Sequence, residues 1–156
     1  ELNKIKLFLI NKNKISTDDI MKLTNLTENH SINELINNCL ARNAKKTSNI
    51  LNENNFTKED CILIVKSFLI KAKKILKLSI QFEKNKNIDV TISSAKPPIF
   101  WKDKDITKQQ LFKWSEDDLK KLIYDLNEVE LQIKKNIDNS LNLVTDFILN
   151  QSCSKS

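Results

Sequence analysis

One histidine, three cysteines, two acidic doublets and a ladder of lysines are the side chains here whose types could do chemistry. His30 stands in a polar stretch and reads as a solvated loop residue; no serine or cysteine is paired with it by a spacing that would make a base and a nucleophile. Cys39, Cys61 and Cys153 are odd in number, far apart and without a CxxC pair, which fits neither a disulfide framework nor a zinc site. Cys39 and Cys61 fall within apolar helical patterns, where a free thiol behaves as a small hydrophobe, and Cys153 lies in a polar tail. A reducing compartment fits best, so a cytoplasmic location is expected. HExxH is absent, and a chain with no glycine has neither a P-loop nor a dinucleotide fingerprint, because both need glycine where backbone meets phosphate. Asp18-Asp19 and Asp117-Asp118 sit in predicted first helical turns, where carboxylates answer the helix dipole. No catalytic, metal-binding or cofactor-binding residue is assigned, no cofactor is expected, and no intrinsic enzymatic activity is expected of this chain.

The lysines carry the other chemical option. The formal net charge is +6, and Arg42 is the single arginine. Lys66, Lys73, Lys77 and Lys84 recur at seven- and four-residue steps on one face of a long predicted helix. A basic strip for DNA phosphates is one reading, which makes Lys66, Lys73 and Lys77 candidate DNA-facing residues. A solvated lysine face is the other, favoured because no aromatic side chain interleaves and no arginine fork is present.

These residues must be positioned by helices. The 156 residues are 40% hydrophobic and 29% charged, the profile of one globular domain, or of one domain with a piece of a neighbour. No apolar run approaches the roughly 18 residues that would cross a bilayer, so no membrane contact is expected. The chain opens on ELNKIKLFLI without a signal peptide or a starting Met, which suggests a fragment of a longer protein. Apolar spacing predicts helices over residues 2–11 and from a Ser16 cap to about 24, with Ile15 and Ile20 as its staple. Residues 25–30 read as a loop and the candidate domain boundary. Ser31 and Glu34 have capping-box spacing for a helix to about Ala44, and a short helix follows around 46–52. Thr57 and Asp60 open the longest helix, 58–85, whose wide apolar stripe suggests cover on more than one side. Residues 88–95 are β-branched and read as a short helix, since nothing else offers a strand to pair with. With no glycine, asparagine is the expected residue at left-handed positions.

The densest stretch is 96–135. It holds both prolines and both tryptophans. Pro97 and Pro98 force an extended arrival; Ile99, Phe100 and Trp101 form an apolar cluster directly after it. Thr107 and Gln110 mark a short helix ending near Trp114. Ser115 with Asp118, flanked by the Trp114–Leu119 staple, starts a helix to about Lys135, and Asn136 stands where a left-handed C′ residue is expected. Glu130 falls in the apolar stripe and is expected to pair with Lys134 one turn on. Phe100, Trp101 and Trp114 are candidates for core packing, the favoured reading, or for an interface. A last helix is predicted over about 139–150, with QSCSKS as a frayed tail. The expected fold is an all-α helical bundle.

PPIFWKDK followed by LFKWSEDDLKKLIYDLNEVELQIKKN resembles the C-terminal region of the delta subunit of bacterial DNA polymerase III. The resemblance rests on Pro97, Pro98, Phe100, Trp101, Trp114, Ser115, Glu130, Ile133 and Lys134 in that order, and Asn136 stands near where the family often has glycine. It implies the end of a small helical lid domain over residues 1–29 and a helical collar domain over 30–156. It implies a role in DNA replication as part of the clamp loader, a pentameric relative of AAA+ ATPases. The partners implied are the delta-prime and gamma/tau subunits in the ring, the sliding clamp through a separate N-terminal domain, and primer-template DNA through the whole complex. The parent would be a non-hydrolysing subunit of a DNA-directed DNA polymerase (nucleotidyltransferase) holoenzyme. A free-standing helical adaptor and a basic nucleic-acid-binding helical domain are the alternatives.

Overall fold

The computed structural model describes residues 26–153. The helices predicted over residues 2–11 and 16–24, with the Ser16 cap and its staple, lie outside the described residues, and with them the lid-type segment on which a boundary at residue 29 rests. The described chain is an all-α bundle without strands: α1 (Leu26–Leu40), α2 (Ala44–Glu53), α3 (Lys58–Asn85), α4 (Ile88–Ser93), α5 (Lys104–Lys113), α6 (Glu116–Lys135) and α7 (Ser140–Cys153), with 3₁₀ turns at Trp101–Asp103 and Ile137–Asn139.

α3 is the spine, 28 residues long. Its start is fixed by the predicted Thr57–Asp60 capping box: the Thr57 backbone N–H donates to the Asp60 carboxylate at 2.7 Å, and its hydroxyl to the same oxygen at 2.9 Å. α6 lies along α3 as the most extensive helix pair. The two run antiparallel, since Lys58 at the head of α3 pairs at 2.8 Å with Asp138 just past the end of α6. Cys61, Ile64, Val65, Phe68, Ala72, Ile75 and Leu78 are buried along α3, and Leu119, Leu122, Leu126, Val129 and Ile133 along α6. The wide apolar stripe of α3 is covered on more than one side: Ile64 and Leu78 are buried and Ile62, Leu69 and Leu76 half-buried, because α1 and α7 pack on this helix as well as α6.

Helix α1 departs from expectation at both ends. Residues 26–30 are helical rather than loop, so Ser31 and Glu34 lie inside α1 and do not cap it. The helix stops at Leu40, four residues early. Arg42 takes the left-handed conformation (φ 52°), and the Arg42 and Asn43 N–H groups donate to the Cys39 and Asn38 carbonyls at 2.9 Å each. That is a Schellman end with arginine in the position glycine normally takes. Lys86 (φ 51°) is also left-handed after α3, but in the simpler motif in which its N–H donates to the Phe82 carbonyl at 2.8 Å, whereas Asn136, expected to be left-handed, has φ −145° because the chain passes directly into a 3₁₀ turn. Among the described residues, the two left-handed positions therefore fall to cations, not to asparagine.

The other starts are local. Asn43 caps α2 by accepting from the Lys46 N–H, and Asn87 caps α4, which is helical as expected, by accepting from Val90. Ser115 accepts from the Asp118 N–H at 3.1 Å and donates to its carboxylate at 2.7 Å, as the capping spacing required. Thr107 does not cap α5. The helix begins at Lys104, directly out of the preceding 3₁₀ turn, and the Thr107 hydroxyl instead donates back to the Asp103 carbonyl at 2.7 Å. α7 runs on through Cys153 with Ser152 buried, so Gln151–Cys153 is ordered helix rather than tail.

Candidate functional site

The sequence-marked residues of 96–135 part ways in space. Trp114 is buried at 5% exposure and its indole Nε1 donates to the Leu40 carbonyl at 2.6 Å. The Arg42 guanidinium lies 4.4 Å from its ring centroid. Phe100 and Trp101 are on the surface, 57% and 68% exposed, with ring centroids 5.8 Å apart and the Lys102 ammonium 5.2 Å from the Trp101 centroid. Core packing, the favoured reading for all three, thus accounts for Trp114 and not for Phe100 or Trp101. The reason is the 3₁₀ turn. It begins at Trp101 and turns that ring outward while Ile99, two residues earlier, is buried. Pro97 and Pro98 are exposed, with a cis Lys96–Pro97 bond. Ser115 serves as the helix cap described above. Glu130 and Lys134 form the expected one-turn pair at 2.7 Å. The hydrogen bond from Lys134, helped by its charge and that of Lys66, holds the Glu130 carboxyl below its ordinary range. Such a pair contributes a few tenths of a kcal/mol.

Lys66, Lys73 and Lys77 are all exposed on the pole of α3 opposite the core. They share that pole with Leu63 and Ile70, which are 40% and 69% exposed. On α6, Tyr124 and Leu131, one heptad apart, are 66% and 45% exposed. The outer surface of the α3–α6 pair is therefore a mixture of lysines and large apolar side chains.

A second site had no counterpart in the sequence reading. An open cleft of about 490 Å³ lies between α1, α3 and the 3₁₀ turn, lined by His30, Asn33, Glu34, Asn37, Lys71, Phe100, Lys102 and Asp103. A smaller recess of about 70 Å³ shares Asn37, Lys71 and Asp103 with it and adds Lys74, Ile75, Ile99, Thr107 and Gln110. Lys71 Nζ donates to Asn37 Oδ1 at 2.6 Å, and Gln110, itself buried, donates to the Asn37 carbonyl at 2.9 Å. Burial pushes the Lys71 pKa down to about 8, against the opposing pull of Asp103 and with the help of Lys74. The available signal was position: Lys71 stands three residues after Phe68 and four before Ile75, at the border of the buried stripe and off the exposed lysine ladder.

Lys71 has a measurable consequence. Its folded pKa lies below that of an exposed lysine, so from about pH 8 to 10 the unfolded chain holds a proton that the folded chain has released, and stability rises with pH. Cys39 and Cys61, whose thiols burial pushes up, act oppositely once the unfolded thiols ionise. The contribution is isolated by comparison with Lys71→Met, which keeps both cysteines. Between pH 7.5 and 10, wild type is expected to gain about 1–2 kcal/mol relative to that variant, after allowance for solvent screening. Urea denaturation at the two pH values measures it, and an unchanged difference would mean that Lys71 is no more buried in effect than its neighbours.

Among the described residues no group of three or more His, Cys, Asp or Glu side chains is placed to hold a metal ion, and no helix is long and apolar enough to cross a membrane. Comparison with family models, curated proteins and solved structures gave no match. What the described residues define is an all-α helical bundle with a mixed lysine–apolar outer face and a polar cleft between α1, α3 and the 3₁₀ turn.

Proposed function

We propose that this chain is the helical scaffold of a clamp-loader delta subunit, the part that holds the subunit in the pentameric ring that loads the sliding clamp. The observation that carries the reading is the ordered run Pro97-Pro98, Phe100-Trp101, Trp114-Ser115, Glu130 and Lys134 on an all-α bundle. Leu63, Ile70, Tyr124 and Leu131 support it, because a helix pair with large apolar side chains on its solvent side offers what a neighbouring subunit's helices would cover. In this reading the work is mechanical: ATP-driven movement belongs to the delta-prime and gamma/tau partners, and contact with the clamp and with primer-template DNA belongs to the rest of the subunit and to the complex.

The test is reconstitution. The full-length chain is expected to co-elute with purified delta-prime and gamma/tau in size-exclusion chromatography at micromolar concentration. Ile70→Glu, which places a charge on the proposed contact without touching the core, is expected to weaken that complex at least about tenfold. Failure of the wild-type chain to associate would sink the reading. Binding to DNA that falls steeply with salt and is lost in Lys66→Gln, Lys73→Gln and Lys77→Gln, with no subunit association, would replace it with the nucleic-acid-binding alternative.

A further inference from the structure

We infer that the outer pole of α3 is a docking seam for an acidic amphipathic helix of a partner protein. The inference deepens the scaffold reading and rests on it only for where that partner belongs; the chemistry of the covering helix is read from α3 alone. Leu63, Lys66, Ile70, Lys73 and Lys77 stand at alternating steps of three and four residues, and all are exposed. That is the spacing at which a second helix lies along the first with its side chains interdigitated. The register holds over about 20 Å of helix. Half-buried Ile62 and Leu69 extend the apolar surface on the side toward α6.

Charge decides what covers the seam. Between Asp60 and Glu83 the helix carries five lysines and no carboxylate. Among the described residues, Lys66, Lys73 and Lys77 form no ion pair. Glu130 of α6, whose carboxyl senses the charge of Lys66, is already bound to Lys134 at 2.7 Å. A covering helix with carboxylates opposite the lysines therefore gains new pairs, while its apolar side chains cover Leu63 and Ile70. Lysine suits such a seam, because its methylene stem packs on apolar surface and its ammonium reaches the edge. A second copy of α3 is disfavoured by the same charges, since two such poles set lysine against lysine. A nucleic-acid backbone answers the lysines but leaves Leu63 and Ile70 wet. A bilayer surface fits no better. Lys66 and Lys73 run through the middle of the apolar surface, between Leu63 and Ile70 on one side and Ile62 and Leu69 on the other. Sinking those side chains among acyl chains would carry the ammonium groups down with them, whereas helices that lie on membranes keep their lysines on a separate face.

The experiment titrates the full-length chain against a fluorescein-labelled helical peptide of about three heptads, with leucine at a and glutamate at d, read by anisotropy. Binding is expected at a Kd of about 100 μM or tighter and to weaken as salt rises. A peptide of the same composition shuffled out of heptad register, and one with lysine replacing each glutamate, are each expected to bind at least about tenfold more weakly. Lys73→Glu in the chain is expected to weaken the glutamate peptide and to strengthen the lysine peptide, a swap of preference that a folding defect cannot produce. Equal binding of the three peptides overturns the inference. So does co-sedimentation of the chain with phosphatidylserine vesicles, or salt-sensitive DNA binding, when the glutamate peptide fails to bind. No clamp-loader sequence is present in the peptides. Failure to bind them while delta-prime and gamma/tau associate sinks the seam and leaves the scaffold reading standing; peptide binding without subunit association sinks the scaffold reading and leaves the seam.

Discussion

Trp114→Ala is expected to destabilise the bundle by about 4–5 kcal/mol, among the largest effects of any single substitution here. Two losses combine. The first is the aromatic volume of a side chain that is 5% exposed. The second is a hydrogen bond whose other half cannot easily be replaced. The last four carbonyls of a helix have no partner within it, and in α1 each is satisfied differently. The Asn37 carbonyl accepts from the Ala41 N–H and from Gln110, Asn38 from the Asn43 N–H, and Cys39 from the Arg42 N–H. Leu40 accepts from the Trp114 indole at 2.6 Å, across 74 residues of sequence. Trp114 thus completes the end of α1, and its ring faces the guanidinium of the residue that makes the turn. Trp114→Phe separates the two terms. It keeps most of the packing and removes the donor, and is expected to cost about 1–3 kcal/mol. Trp101→Ala, at a site 68% exposed, is expected to stay within about 0.5 kcal/mol of wild type. Urea unfolding of the three variants decides the matter: a Trp114→Phe chain as stable as wild type would show that the indole bond contributes nothing net.

These two tryptophans also show what the sequence could and could not convey. Trp114 was readable as a staple because its relation to Ser115, Asp118 and Leu119 is local, and local caps and apolar periods are what spacing reports. The same holds for the start of α3 at Lys58 and for its length to Asn85. The partner of Trp114, the Leu40 carbonyl, was not readable, since a backbone acceptor carries no side-chain signature. The end of α1 failed for a related reason. Arg42 in a left-handed turn looks unfavourable by about 1–2 kcal/mol from its type alone, and the Schellman bonds and the stacked indole that offset it exist only in three dimensions. Gln110 had the spacing of a capping partner for Thr107, yet its amide crosses to α1 at the Asn37 carbonyl. The cleft at Lys71 is built from α1, α3 and the 3₁₀ turn, segments about 30 residues apart from one another, so no window of sequence contains it.

Phe68→Ala is expected to cost about 4–5 kcal/mol, matching Trp114→Ala by a different route. Phe68 is 1% exposed at the middle of the buried stripe of α3. Its ring meets the Phe147 ring of α7 edge-on, with centroids 6.2 Å apart and planes at 68°. α3 contacts α1, α6 and α7, and the side chains that close on Phe68 project from long helices held by their own caps and pairings. Such a site collapses little when its occupant shrinks, so the cavity term adds to the lost transfer energy, and the edge-to-face pair adds roughly 0.5–1.5 kcal/mol beyond area. Phe68→Leu keeps most of the volume and loses the aromatic pair; it is expected to cost about 1–2 kcal/mol. Removing the other ring discriminates further. Phe147 is half-buried, so Phe147→Ala is expected to cost less than Phe68→Ala, and the double variant less than the sum of the two, by about the pair energy. Equal costs at Phe68 and Phe147 would place the centre of the core nearer α7 than the α3–α6 pairing implies, and strict additivity would mean that the two rings touch without interacting.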